Sequence, residues 1–131
     1  MSMSEPGQDR RTRALEILEQ LERGAAGNVS ASLDAVSPEI VELVLGWAFV
    51  DVVDRPGIDL RTREMLTVSA LMAMGTAASQ LEFHVRAAIN VGVTRKEIVE
   101  IVLQIAVYAG VPAAMNGIAA VKKAFATLDG A

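Results

Sequence analysis

Gln80–Asn116, QLEFHVRAAINVGVTRKEIVEIVLQIAVYAGVPAAMN, decides how the rest of the chain is read. Leu81, His84, Val85 and Ala88 recur at three- and four-residue spacing, which places them on one face of a helix, while Glu82, Arg86 and Asn90 share another. Gly92 closes that helix. Thr94 followed by Glu97 has the spacing of a capping box, in which each side chain satisfies a free backbone amide at the start of the next helix. Gly110-Val111-Pro112 ends that second helix and opens a last one, expected over about Pro112–Leu128. His84 is the only histidine in the chain and faces inward. It is either a hydrogen-bonded core group or an acid-base in an apolar setting, where imidazole exchanges a proton near neutral pH.

Working back from this stretch, Asp59 caps a helix expected over about Leu60–Met74, and Gly75-Thr76 breaks it. Ser79 with Glu82 has capping-box spacing for the helix that carries His84. Ser37-Pro38 starts an earlier helix, about Pro38–Val53, with Leu43, Val44, Trp47 and Ala48 on one face and Arg55-Pro56-Gly57 after it. Gly24–Ser32, GAAGNVSAS, reads as a loop. Ala14, Leu15, Leu18 and Leu21 give a first amphipathic helix from Asp9 to near Gly24, its basic start Arg10-Arg11-Thr12-Arg13 reading as a solvated face. Residues 1–8 have no apolar period and are expected to be frayed. No segment alternates like a strand, so the expectation is one all-α domain over residues 1–131, with about six helices and short connections.

Composition narrows the function classes. Hydrophobic residues make up 52% of the 131 and aromatic ones only 4%, so the core must be aliphatic and alanine-rich. A net charge of -4 without an aromatic-and-basic cluster argues against nucleic acid as a partner. No cysteine is present, which removes disulfides, thiolate metal sites and thiol redox chemistry. One histidine and scattered carboxylates do not make a metal site, and there is neither a nucleophile-elbow serine nor a glycine-rich phosphate loop. The expectation is that neither a metal nor another cofactor is used. The longest charge-free run, from Ile101 to Val121, is broken by Gly110 and Pro112, so it reads as two buried half-lengths rather than a membrane span. With a polar start that has no signal-peptide pattern, the expected address is cytoplasmic.

Several residues have both a plain and a chemical reading. Glu82 and Arg86 are one turn apart and make an ordinary surface ion pair, unless Arg86 instead grips a substrate carboxylate in a two-pronged fork. Arg63 and Glu64 lie in the first turns of their helix, where either Glu64 favours the positive helix start and the arginines are solvated, or Arg63 or Glu64 points at His84 from a neighbouring helix. The segment IVLQIAVYA is apolar all round and must be buried on every side. A monomer of this size cannot easily surround both it and LTVSALMAM, so part of that surface should meet another subunit. Tyr108 would then be a buried phenol, most simply a core-packing residue.

Arg55-Pro56-Gly57-Ile58-Asp59-Leu60-Arg61-Thr62-Arg63-Glu64, Leu81-Glu82-Phe83-His84-Val85-Arg86-Ala87-Ala88, Gly92-Val93-Thr94, Glu97-Ile98 and Tyr108-Ala109-Gly110-Val111-Pro112-Ala113-Ala114 together resemble the carboxymuconolactone decarboxylase family. The resemblance covers about residues 49–125 and is specific in its ordered spacing. It implies an all-α fold that assembles into rings, hexamers first and trimers second. The alkylhydroperoxidase D-like branch of the family carries a Cys-x-x-Cys pair before the histidine. Here Ala77 and Gln80 stand at those positions, which excludes thiol peroxidase chemistry.

The decarboxylase branch implies a cofactor-independent carboxy-lyase that takes CO2 from γ-carboxymuconolactone in the catabolism of protocatechuate. The electron pair left behind spreads through the unsaturated lactone, so the protein need only stabilise the carbonyl oxygen and reprotonate carbon. By this resemblance His84 is the expected proton donor, with Glu64 as its catalytic companion. Arg63 and Arg86, with Arg55 as a third and Tyr108 beside them, are the expected substrate-binding residues. The arginines should grip the carboxylate that stays, because holding the departing one stabilises the ground state. The chain departs from the family near its start. Arg10-Arg11 is followed by Ala14-Leu15-Glu16, without the glycine and the further histidine usual in the authentic decarboxylases. A related lactone or enolisable acid therefore stands as the alternative substrate, and a non-catalytic oligomeric ligand-binding scaffold as the alternative function.

Overall fold

The computed structural model describes residues 6–130. They form α1 (Pro6–Leu21), α2 (Ala25–Asp34), a π-helix (Val41–Val53), α3 (Leu60–Met74), α4 (Ala78–Asn90), α5 (Arg95–Ala109) and α6 (Val111–Leu128), with no strand among them. The all-α class is as the sequence indicates. The helices group into two compact units, Met1–Ile58 and Asp59–Ala131. Part of the frayed start expected for residues 1–8 lies outside the described residues, and from Pro6 the chain is helical.

In the upstream unit, the segment expected to be a loop is instead the helix α2. Its composition hides it, since Gly27, Asn28, Val29 and two serines are weak helix formers. Its supports come from elsewhere in the chain. Gly24 turns with φ 87°, a conformation open to glycine at no steric cost. Glu19 accepts hydrogen bonds from the backbone N–H groups of Gly24 at 2.9 Å and Ala26 at 3.2 Å, satisfying amides that a helix start leaves free. Those two bonds also hold the Glu19 carboxyl below its ordinary value.

The basic start of α1 is not a solvated face. Arg10 makes a two-pronged bond to Asp51 at 2.7 and 2.9 Å, Arg11 one to Asp34 at 3.0 and 2.6 Å, and Arg13 one to Asp54 at 3.0 and 2.6 Å. Arg10 and Arg13 are three apart on α1, as Asp51 and Asp54 are at the end of the π-helix, so the two pairs lie in register. Gly46 belongs to the same contact, because a Cβ there would sit 3.3 Å from the Arg10 guanidinium. Ala14, Ile17, Leu18 and Leu21 form the buried face of α1, and Val41 and Phe49 that of the π-helix. Leu43, Val44 and Trp47, expected together on one helical face, share the exposed side of the π-helix.

The downstream unit packs α3 to α6 around Val68, Met72, Leu81, Val85, Val93, Ile98 and Ile101, with the small residues Ala88, Ala120 and Ala124 where helices approach. Each fully buried aliphatic side chain contributes about 1.5–3 kcal/mol. Helices α3 and α6 meet where a Cβ on Gly117 would come within 2.6 Å of the Met72 side chain. Asp59 caps α3 by accepting from Thr62 N–H at 2.7 Å, and the Thr94–Glu97 capping box is complete at 3.0 Å in both directions. The Ser79–Glu82 box does not form. Helix α4 starts one residue ahead of Ser79, from an Ala77 N-cap that offers no side-chain acceptor.

The apolar ends of α5 and α6 are not buried within this chain. Val99, Leu103, Val107, Val111 and Met115 are exposed, as are Leu66 and Met74 on α3. Among the described residues, no helix is long and apolar enough to cross a membrane.

Candidate active site

Helix α3 brings Glu64 up from its first turns, and α4 brings His84 from its middle. The shared Val68, Met72, Leu81 and Val85 core sets the two helices against each other. Glu64 Oε2 lies 2.8 Å from His84 Nδ1. Glu64 is 1% exposed and is the buried charged residue of the core; the His84 side chain keeps 17% of its surface accessible. A carboxylate only accepts, so with Glu64 ionised the bond is donated by Nδ1–H and Nε2 is the ring nitrogen outside this pair. A buried carboxylate bonded to one ring nitrogen fixes the tautomer and orientation of an imidazole, one of the arrangements that hold a histidine for proton transfer.

Phe83, beside His84 in sequence, meets it edge-to-face, with ring centroids 5.0 Å apart and planes at 88°. The Arg86 guanidinium carbon lies 5.8 Å from the centre of the same Phe83 ring. Arg86 Nη1 also donates to Glu82 at 3.4 Å, and both side chains are mostly buried, so the pair is not the open-surface one that its spacing suggests. Arg63, next to Glu64, has its Nε buried.

One turn before Glu64, Arg61 ties the start of α3 to the α4–α5 turn. Its Nε donates to the Gly92 carbonyl at 3.2 Å and its guanidinium to both carboxylate oxygens of Glu97. Arg61, followed by the Thr94 amide, holds the Glu97 carboxyl below its usual value.

Of the residues singled out in the sequence, the structure joins His84 and Glu64 and sets Arg63 and Arg86 on the same two helices. Tyr108, expected as a buried phenol where that surface meets another subunit, is 80% exposed at the end of α5 in the single chain. Arg55 is an exposed residue of the upstream unit. Sequence reasoning passed over Phe83 as a site residue, although a lone aromatic next to the lone histidine, in a chain with only three phenylalanines, was a usable signal. Among the described residues, no group of three or more histidine and carboxylate side chains gathers as a metal-ligand set.

Residues 38–123 match the model of the carboxymuconolactone decarboxylase family. The chain belongs to this family. Among its curated relatives, the 4-carboxymuconolactone decarboxylase of Acinetobacter baylyi is 34% identical over 82 residues, which are 63% of this chain and 60% of that protein. The nitrosuccinic acid decarboxylase of Metarhizium robertsii is 40% identical over 82 residues, 63% of this chain and 57% of that protein. An uncharacterized 15.0 kDa protein of Paracoccus denitrificans is 30% identical over 99 residues, 75% of this chain and 74% of that protein. The chain thus spans about 60% of the length of the two decarboxylases it matches.

Proposed function

We propose that this family member is a carboxy-lyase that decarboxylates a small carboxylated acid without a cofactor, using His84 as the proton donor and Glu64 to hold it. The observation that carries the reading is the 2.8 Å bond between the buried Glu64 carboxylate and Nδ1 of the only histidine. It leaves Nε2 for proton transfer. Two relatives with decarboxylase names support the reaction type.

The acids in those two names have one chemical feature in common. In 4-carboxymuconolactone (γ-carboxymuconolactone) the carbon that loses CO2 is a ring carbon of an unsaturated lactone, conjugated through the C=C bond to its carbonyl, and in nitrosuccinic acid it bears a nitro group. In both, the C–C bond to the carboxylate breaks, its electron pair moves onto oxygen of the acceptor, and a proton must then return to carbon. As the imidazolium, His84 supplies that proton from Nε2, is left as the neutral ring whose Nδ1–H is bonded to Glu64, and is reprotonated at Nε2 from solvent, while Glu64 steadies the imidazolium. Both acids also keep a second carboxylate, for which Arg63 and Arg86 are the proposed grips; a guanidinium fork matches a carboxylate at two points.

The experiment is to incubate purified protein with each acid and follow CO2 release. Turnover above the uncatalysed rate with either acid supports the reading and assigns the substrate. No release from either, at high enzyme concentration, removes it.

A further inference from the structure

We infer that Phe83 is a positioning residue for the proposed acid, an inference that rests on the assignment of His84 above. The Glu64 bond pins one corner of the imidazole, at Nδ1, and a ring held by a single hydrogen bond can still tilt about it. The Phe83 ring supplies the missing constraint. It meets His84 at 5.0 Å between centroids and at 88° between planes, which is the favoured edge-to-face geometry for aromatic rings. Together the two contacts restrain the imidazole at Nδ1 and at its ring, which narrows the directions open to Nε2.

The same ring lies 5.8 Å from the Arg86 guanidinium carbon, within the range over which an aromatic face attracts a cation. Phe83, His84 and Arg86 all stand on α4, so the helix itself fixes their relative positions. One side chain thus sets the attitude of the proton donor and biases the place of the cation proposed to grip substrate. Leucine at this position would fill similar space without an aromatic face or edge.

The test compares Phe83→Leu, Phe83→Tyr and the unaltered protein. Two readouts are used: steady-state kinetics on whichever acid turns over, and the imidazole NMR signals of the histidine, which need no assignment because the chain has one. In Phe83→Leu, kcat should fall by roughly tenfold, as expected when an acid-base group loses its alignment. The Nδ1–H proton of His84 should exchange faster with solvent, since the ring is freer to leave Glu64. Phe83→Tyr should restore both, and the melting temperature of the leucine variant should stay close to that of the parent.

An Nδ1–H exchange rate in Phe83→Leu equal to that of the parent overturns the inference, whether or not any acid is turned over. Faster exchange with undiminished kcat also overturns it, because the ring would then have no part in the reaction. If no acid turns over in the parent, the functional assignment falls separately, and the exchange rate alone decides whether Phe83 positions the imidazole.

Discussion

At His84 the tautomer is what the surroundings determine. The carboxylate of Glu64 can only accept, whereas the side-chain amide introduced by Glu64→Gln can donate to Nδ1 and move the ring proton to Nε2. The expected outcome is a switch of the ¹⁵N signature of the neutral ring, the form left after the imidazolium has given up its proton, from Nδ1–H to Nε2–H, with turnover lower by roughly two orders of magnitude or more. An unchanged signature would mean that Glu64 does not control the ring. The sequence allowed this pair without requiring it, since helical spacing placed His84 inward and could not say which of the residues in the first turns of α3 would reach it. That depends on how α3 and α4 cross, which is set by Val68, Met72, Leu81 and Val85 acting together. Tyr108 lies open in the single chain for the complementary reason. An apolar run announces that a surface must be covered, but not that it is covered within one chain.

Among the helices, local signals were legible and distant ones were not. Asp59 and the Thr94–Glu97 box act within three residues of themselves, and both form as their spacing predicts. Helix α2 depends on Glu19 and on the Arg11–Asp34 pair, whose glutamate and arginine both lie on α1, so a window over residues 24–32 sees only weak helix formers. The α3–α6 contact offers a direct check. A methyl group at Gly117 would press on the side chain of Met72, which is 1% exposed. Overpacking costs about 1–3 kcal/mol and the better helix propensity of alanine returns about 1 kcal/mol, so Gly117→Ala should be destabilising by about 1 kcal/mol in urea titration. Truncating Met72 in the same chain should offset part of that loss, and strictly additive effects would contradict the contact.

The clamps on α1 carry a pH dependence. Hydrogen bonds from Arg11, Arg10 and Arg13 hold the carboxyls of Asp34, Asp51 and Asp54 below their ordinary values. A carboxyl depressed by folding contributes stability that is present above its unfolded value, about 3.9, and is lost as pH falls through the folded one. The upstream unit should therefore loosen progressively below about pH 4. The loss should be modest, because the pairs are partly exposed and screened by salt. Replacing all three arginines with glutamine should flatten this acid limb in melting curves. An acid limb equal to that of the parent would show that the clamps add nothing.

For the molecule as a whole, the apolar content has no complete burial within one chain. Leu103, Val107, Val111 and Met115 remain exposed along α5 and α6, a pattern expected of a surface that another copy covers. The protein is expected to elute well above its 13.9 kDa chain mass, and light scattering that gives a concentration-independent monomer would contradict this. Family membership was legible in the ordered motifs from Arg55 to Ala114, because those residues carry caps, turns and the site together. The substrate was not legible, since the proton donor proposed at His84 would serve two acids with different electron acceptors alike.

The most direct measurement of the central claim is CO2 release from 4-carboxymuconolactone and from nitrosuccinic acid by the unaltered protein and by His84→Gln, with melting temperature recorded for both. Turnover by the parent on at least one acid should fall by roughly two orders of magnitude or more in the variant, while the melting temperature stays nearly the same. Equal turnover by the two proteins would contradict the account, leaving His84 as a packed core histidine bonded to Glu64.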